Sequence, residues 1–156
     1  MEVSVRDAVR SLLDVERVLT LAVLVDGEPV AALLPFAVSS DRAAVLVQAS
    51  GLARHARGLT EGATVGVAIH RPATADRDPM QLPRLTVQGT TRVLERDSAA
   101  FADAAERLMA RFPAAALTLT LPDFRVVAIE LGRGRYVEGF ARAVNVGPET
   151  FRALAS

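Results

Sequence analysis

Neither cysteine nor lysine occurs among the 156 residues. The first absence excludes disulfides, thiolate catalysis and cysteine-ligated metals. The second makes all 18 cations arginine, which excludes Schiff-base chemistry and a P-loop lysine. Histidine is scarce too: His55 and His70 leave little material for a metal site, and none is expected. Aromatic residues make up 4%, so a planar ligand would rest mainly on backbone and aliphatic groups. An excess of either charge is also missing, since 18 acidic residues balance the arginines. That balance gives no electrostatic reason to expect nucleic acid or a membrane as partner. No apolar run is long enough to cross a bilayer. The charged segment 1–13 lacks the apolar core of a signal peptide. A soluble, cytoplasmic protein is expected.

Apolar residues nonetheless make up 51%, and the length suits one domain, 1–156, with its own core. Val5, Ala8, Val9, Leu12 and Leu13 share one side of a short helix, with a capping box from Ser4 to Asp7. Runs 18–25, 30–38 and 43–49 then read as three strands, joined by Asp26-Gly27 and by the turn 39–42. They barely alternate, so both faces should be covered, by closure of the sheet or by a second subunit. Segments 64–69, 85–94 and 124–131 supply three more strands, and 135–144 a last extended piece. Segment 71–83, rich in Pro and Asp, reads as a surface loop. Asp97 or Ser98 caps an amphipathic helix carrying Phe101, Ala105, Leu108 and Phe112. Both phenylalanines are expected in the core. Pro113 ends that helix, and Pro148 starts a short C-terminal one. Six strands in hairpin rhythm with few helices predict a mainly β, α+β fold, a small barrel and not a doubly wound sheet.

One segment carries a chemical signal. Gln48-Ala49-Ser50-Gly51 runs from a strand into a helical stretch reaching about Glu61, with Leu52, Ala56 and Leu59 as its buried stripe. Arg54, His55 and Arg57 then lie near the helix start, where the macrodipole disfavours cations by roughly 0.3–1 kcal/mol per charge. A phosphate held by free backbone N–H groups and by planar guanidiniums would reverse that penalty. The bland alternative is a solvated helix in an arginine-rich chain. On β-strand period, Arg84, Thr86 and Gln88 share one face.

Gly51-Leu-Ala-Arg-His-Ala-Arg-Gly-Leu59 resembles the phosphate-binding segment of pyridoxamine 5'-phosphate oxidase-related proteins. Asp78-Pro-Met-Gln-Leu-Pro-Arg-Leu-Thr-Val-Gln-Gly89 is similar to the strand that follows in that family. Leu121-Pro-Asp-Phe124 and Arg135-Tyr-Val-Glu-Gly-Phe-Ala-Arg-Ala143 complete the order. The resemblance spans nearly the whole chain and is strongest to the branch that includes haem-iron-utilisation proteins. It implies a six-stranded antiparallel split β-barrel of the FMN-binding type, as a homodimer with cofactor sites at the subunit interface. It also implies that Leu33, Leu34, Pro35 and Phe36 run along the flavin ring and that Gln48 and Ala49 flank the ribityl phosphate. Ser50, Arg54, His55 and Arg57 would hold the phosphate, with Arg84 and Gln88 near the flavin.

The implied function is that of an FMN-dependent oxidoreductase acting on an unknown small molecule, with no catalytic acid or base distinguishable. Departures shape the alternatives. His55 stands where the family has lysine, and the Arg-x-His signature of vitamin B6 oxidases is absent, so that activity is not expected. Glu138 and Ala141 stand where the branch has glycine, and would narrow a flavin site. One alternative is therefore a dimeric binding module without catalysis. The other is a haem-binding or haem-utilisation protein with His55 and His70 as possible axial ligands. Haem-handling relatives carry a further C-terminal domain, so haem degradation is not expected here. His70, at a strand end beside Arg71, reads first as a surface residue.

Overall fold

The computed structural model describes residues 3–140 and 142–156, with side chains from Val5 onward. The capping box expected at Ser4 and the narrowing residue Ala141 therefore lie outside the described side chains. Helix α1 (Val3–Val15) turns Val5, Val9, Leu12 and Leu13 into the core. Strand β1 (Val18–Val25) alternates strictly, with Leu19, Leu21, Val23 and Val25 buried and the residues between them exposed. Asp26 and Gly27 both have positive φ, 52° and 77°, which suits the tight turn into β2 (Glu28–Pro35). After Phe36 come the short β3 (Ala37–Val38) and β4 (Ala44–Ser50). Strands β5 (Thr64–His70), β6 (Arg84–Leu94), β7 (Phe124–Val137) and β8 (Ala143–Val146) follow. Helix α2 (Ala99–Arg111) and the short α3 (Ala115–Thr118) lie between β6 and β7, and α4 (Pro148–Arg152) near the C-terminus. Ser98 caps α2 as expected, its Oγ accepting from Phe101 N at 3.1 Å.

All strands belong to one antiparallel sheet in the order β2-β1-β5-β6-β7-β4-β3, with β8 on β7. β2 and β3 sit at opposite ends of that order, yet only Phe36 separates them in sequence. The sheet must therefore curl until its ends nearly meet, and the result is a split barrel. Phe36 N donates to Arg17 O at 3.1 Å, and the buried Phe36 ring lies 4.8 Å from the Arg111 guanidinium. Arg111 also donates to the carbonyls of Leu13, Asp14, Glu16 and Phe36. One side chain thus ties α1 and α2 to the seam of the barrel.

The expected mainly β barrel is present, with eight strands in place of six. Run 30–38 breaks at Phe36, and 124–131 extends to Val137. The last extended piece divides around Gly139, whose φ of 78° turns the chain back as β8. A main core fills the barrel. A second cluster, with Leu46, Val126, Leu108 and Leu119, packs α2 and α3 against the outside of β4 and β7. There both faces of the sheet are covered, as the apolar runs require. Phe101 and Phe112 are half-buried at the edge of that cluster, not inside it, because Arg96 and Arg17 lie over their rings. Over β1, β2, β5 and β6 the outer face is bare, leaving Val18, Leu24 and Leu33 exposed.

Candidate functional site

The helix expected after Ser50 is absent. A 3-10 turn, Arg54–Gly58, takes its place. The N–H groups expected to await a phosphate are engaged: Gly51 donates to Asp123 O, Leu52 to Ser50 Oγ and Ala53 to Ser50 O. Ser50 Oγ in turn donates to Asp123 Oδ2 at 3.1 Å, and Arg125 donates to Ala56 O and Leu59 O. Asp123 and Arg125, just before and within the start of β7, thus pin the turn and prevent an α-helix with a free N-terminus. Ala56 and Leu59 are buried as expected, but Leu52 is 90% exposed. The two guanidiniums also have partners, Arg54 with Glu28 and Arg57 with Asp26, both at 2.9 Å. These pairs are exposed, so each contributes about 0.2–1 kcal/mol. Burial without a hydrogen-bond partner at Nε2 lowers the His55 pKa from its usual 6.5, which favours the neutral ring over a phosphate-binding cation.

The remaining expected residues separate into three groups. Leu34, Phe36 and Ala49 point inward and belong to the core. Pro35 and Gln48 line an apolar cavity of about 380 Å³ with Leu108, Phe112, Thr118 and Phe124. Thr118 Oγ1 donates to Gln48 Oε1 at 2.6 Å there. Arg84, Thr86 and Gln88 share the outer face of β6, since Leu85 and Val87 between them are buried. Arg84 turns back onto its own loop, donating to Met80 O and Leu82 O. Three interstrand steps of about 4.8 Å separate β2 from β6, so these groups do not form one compact site within the chain.

Gln88 belongs instead to an open groove of about 710 Å³ on the bare outer face. The strand register sets Leu33, Thr20, Ala68, Thr86, Arg135 and Asn145 in one row across β2, β1, β5, β6, β7 and β8. A parallel row runs Ala31, Ala22, Gly66, Gln88. The floor is therefore flat and small; a Cβ at Gly66 would stand 3.3 Å from that of Ala22. Arg133 Nε donates to Gln88 Oε1 at 3.0 Å, and Arg135 Nη1 to Asn145 Oδ1 at 2.8 Å. Both partners are neutral amides. Among the described residues neither guanidinium has a carboxylate partner, and no acidic residue lines the groove. An apolar floor beneath two uncompensated cations suits a flat ligand with anionic arms.

Arg133 and Arg135 are not among the residues expected from the sequence, although Gly132-Arg133-Gly134-Arg135 on a strand puts both arginines on one face by period two. Glu138 does not project into the groove lining. Its carboxylate accepts from Tyr136 Oη at 2.5 Å and Arg142 Nη1 at 2.7 Å, and burial together with that bond pushes the Tyr136 pKa well up. Among the described residues no three His, Asp or Glu side chains gather as a metal site, and no helix is long and apolar enough to cross a membrane.

No family model matches the chain. It is 28% identical to the haem oxygenase HutZ of Vibrio cholerae over 121 residues, 77% of this chain and 68% of that protein. The crystal structure of HutZ, described as a haem storage protein, superposes with a TM-score of 0.76 at 24% identity, over 86% of this chain and 94% of that one. A haem-binding protein from Mycobacterium smegmatis gives a TM-score of 0.85 at 26% identity over 98% of this chain. The chain spans only 62% of that protein's length. A putative pyridoxamine 5'-phosphate oxidase from Listeria innocua shares the fold, with a TM-score of 0.62 at 16% identity over 86% of this chain and 99% of that one. The chain thus has the split β-barrel fold that HutZ and the putative pyridoxamine 5'-phosphate oxidase share. Its similarity in sequence is to haem-handling proteins of that fold, HutZ and the mycobacterial haem-binding protein.

Proposed function

We propose that this chain binds haem, in the groove on the outer face of β1, β5, β6 and β7. The observation that carries the reading is the groove itself, in which Arg133 and Arg135 overhang a floor of small side chains with no carboxylate to neutralise them. The likeness to HutZ and to the mycobacterial haem-binding protein supports the choice of ligand. The floor of Ala22, Gly66 and Ala68 accepts a planar apolar ring, and the arginines suit carboxylate arms. Bound haem would supply the iron chemistry, while the protein provides placement and electrostatics.

We further propose that two copies pair through this face. Val18, Leu24 and Leu33 are 45%, 61% and 67% exposed, and a second copy would cover them while closing the open side of the groove. FMN is the second reading, favoured by the meeting of Pro35 and Gln48 at one apolar cavity. Parallel absorbance titrations with haemin and with FMN decide between them. Saturable haemin binding near one equivalent per chain supports the first reading; saturable FMN binding with only non-stoichiometric haemin uptake overturns it in favour of the second.

A further inference from the structure

We infer that the outer groove selects its ligand by the flat face and the two carboxylate arms of a porphyrin, with no side chain of this chain bound to the metal. Its ligands are then porphyrin dicarboxylates as a class, metal-free or metallated. The inference rests on the haem reading above and names the chemistry by which that site would recognise its ligand.

Each groove arginine is held so that one bidentate edge stays free. A guanidinium carries five N–H donors in a planar fork. Arg133 spends Nε on Gln88 Oε1 at 3.0 Å, and among the described residues nothing engages its two Nη groups. Arg135 spends Nη1 on Asn145 Oδ1 at 2.8 Å, and among the described residues nothing engages its Nε or Nη2. Either free pair of nitrogens can donate two parallel bonds to one carboxylate. Gln88 and Asn145 are therefore positioning residues: as neutral amides they orient the forks without cancelling their charge. The two arginines are two residues apart on one face of β7, about 7 Å along the strand. The carboxylate arms of a porphyrin leave neighbouring pyrroles at a spacing of that order. Arg135 lies two interstrand steps from Ala68, about 10 Å, so arms that reach the forks leave the ring over the floor.

That floor offers a metal nothing. Beneath a ring laid flat, Ala22, Gly66 and Ala68 present only C–H groups. The amide oxygens of Gln88 and Asn145 already accept from the arginines, and a guanidinium has no lone pair to give. The other polar side chains of the lining are the neutral hydroxyls of Thr20 and Thr86. His70 rises from the same face of β5 two residues beyond Ala68, beside such a ring and not beneath it, and does not line the groove. His55, whose Nε2 is buried, does not line it either.

The test is titration of the full chain, of Arg133→Ala, of Arg135→Ala and of a His55→Ala, His70→Ala double variant with ferric haem and with metal-free protoporphyrin. Absorbance and electron paramagnetic resonance are recorded for each, and melting temperatures confirm that the variants fold. The parent should bind both porphyrins saturably, with affinities within about threefold of each other. Each arginine variant should weaken both porphyrins alike, by roughly tenfold. The double histidine variant should match the parent in affinity and in ferric spectrum. Ferric haem held tenfold or more tighter than protoporphyrin, or a ferric spectrum altered by loss of the histidines, would overturn metal-independent recognition while leaving haem binding intact. Undiminished binding in both arginine variants would overturn the carboxylate assignment. Failure of the parent to bind either porphyrin saturably would overturn this inference and the haem reading together.

Discussion

At the scale of the residue, His55 shows how burial decides charge. Its pKa is lowered because desolvation disfavours the imidazolium. The unfolded chain therefore takes up a proton on passing below about 6.5, while the folded chain resists until lower pH. The stability His55 permits is full above that value and is lost as pH falls toward the depressed folded value. Thermal unfolding on either side of pH 6.5 should show this loss in the parent and a shallower one in His55→Phe. Equal pH dependence in the two would contradict the assignment. The same residue illustrates what sequence leaves hidden. Its place beside Arg54 and Arg57 was legible, but not that Glu28 and Asp26 already neutralise those arginines across the β1–β2 hairpin. Such pairings depend on chain segments about 30 residues apart. Arg133 and Arg135 were legible in principle from the Gly-Arg alternation, but their lack of acidic partners emerges only once the strands are placed.

At the scale of the element, apolar periodicity placed α1 and α2 well, and apolar runs bounded by turn residues placed β1, β5 and β6. Periodicity failed where contacts outside the segment determine the backbone. The stretch after Ser50 has helical spacing of apolar residues, yet Asp123 and Arg125 bind its amides and carbonyls and hold it as a single 3-10 turn. Gly58 docks that turn: a Cβ there would come within 2.4 Å of Leu24 O and 2.5 Å of Val23 Cγ2. Gly58→Ala should therefore cost about 1–3 kcal/mol in urea unfolding. Haem affinity of the folded variant should be unchanged, because the turn does not line the groove. A neutral substitution would mean that the turn is less tightly seated than described.

At the scale of the whole molecule, the sequence told that the apolar runs need covering but not by what. α2 and α3 cover β4 and β7, whereas β1, β2, β5 and β6 keep a bare outer face that includes the groove. If a second copy covers it, Leu33→Glu should convert a dimer to a monomer in light scattering with little loss of melting temperature, since Leu33 is 67% exposed. A monomeric parent would contradict this. The ligand's place is a separate matter, and two pairs of arginines compete for it. Haem affinity measured for the parent, for Arg133→Ala with Arg135→Ala, and for Arg54→Ala with Arg57→Ala decides between them. The groove predicts a loss of roughly tenfold or more, about 1.4 kcal/mol or above, in the first double variant and none in the second. Undiminished affinity without Arg133 and Arg135, with a loss on removing Arg54 and Arg57, would contradict the groove as the haem site.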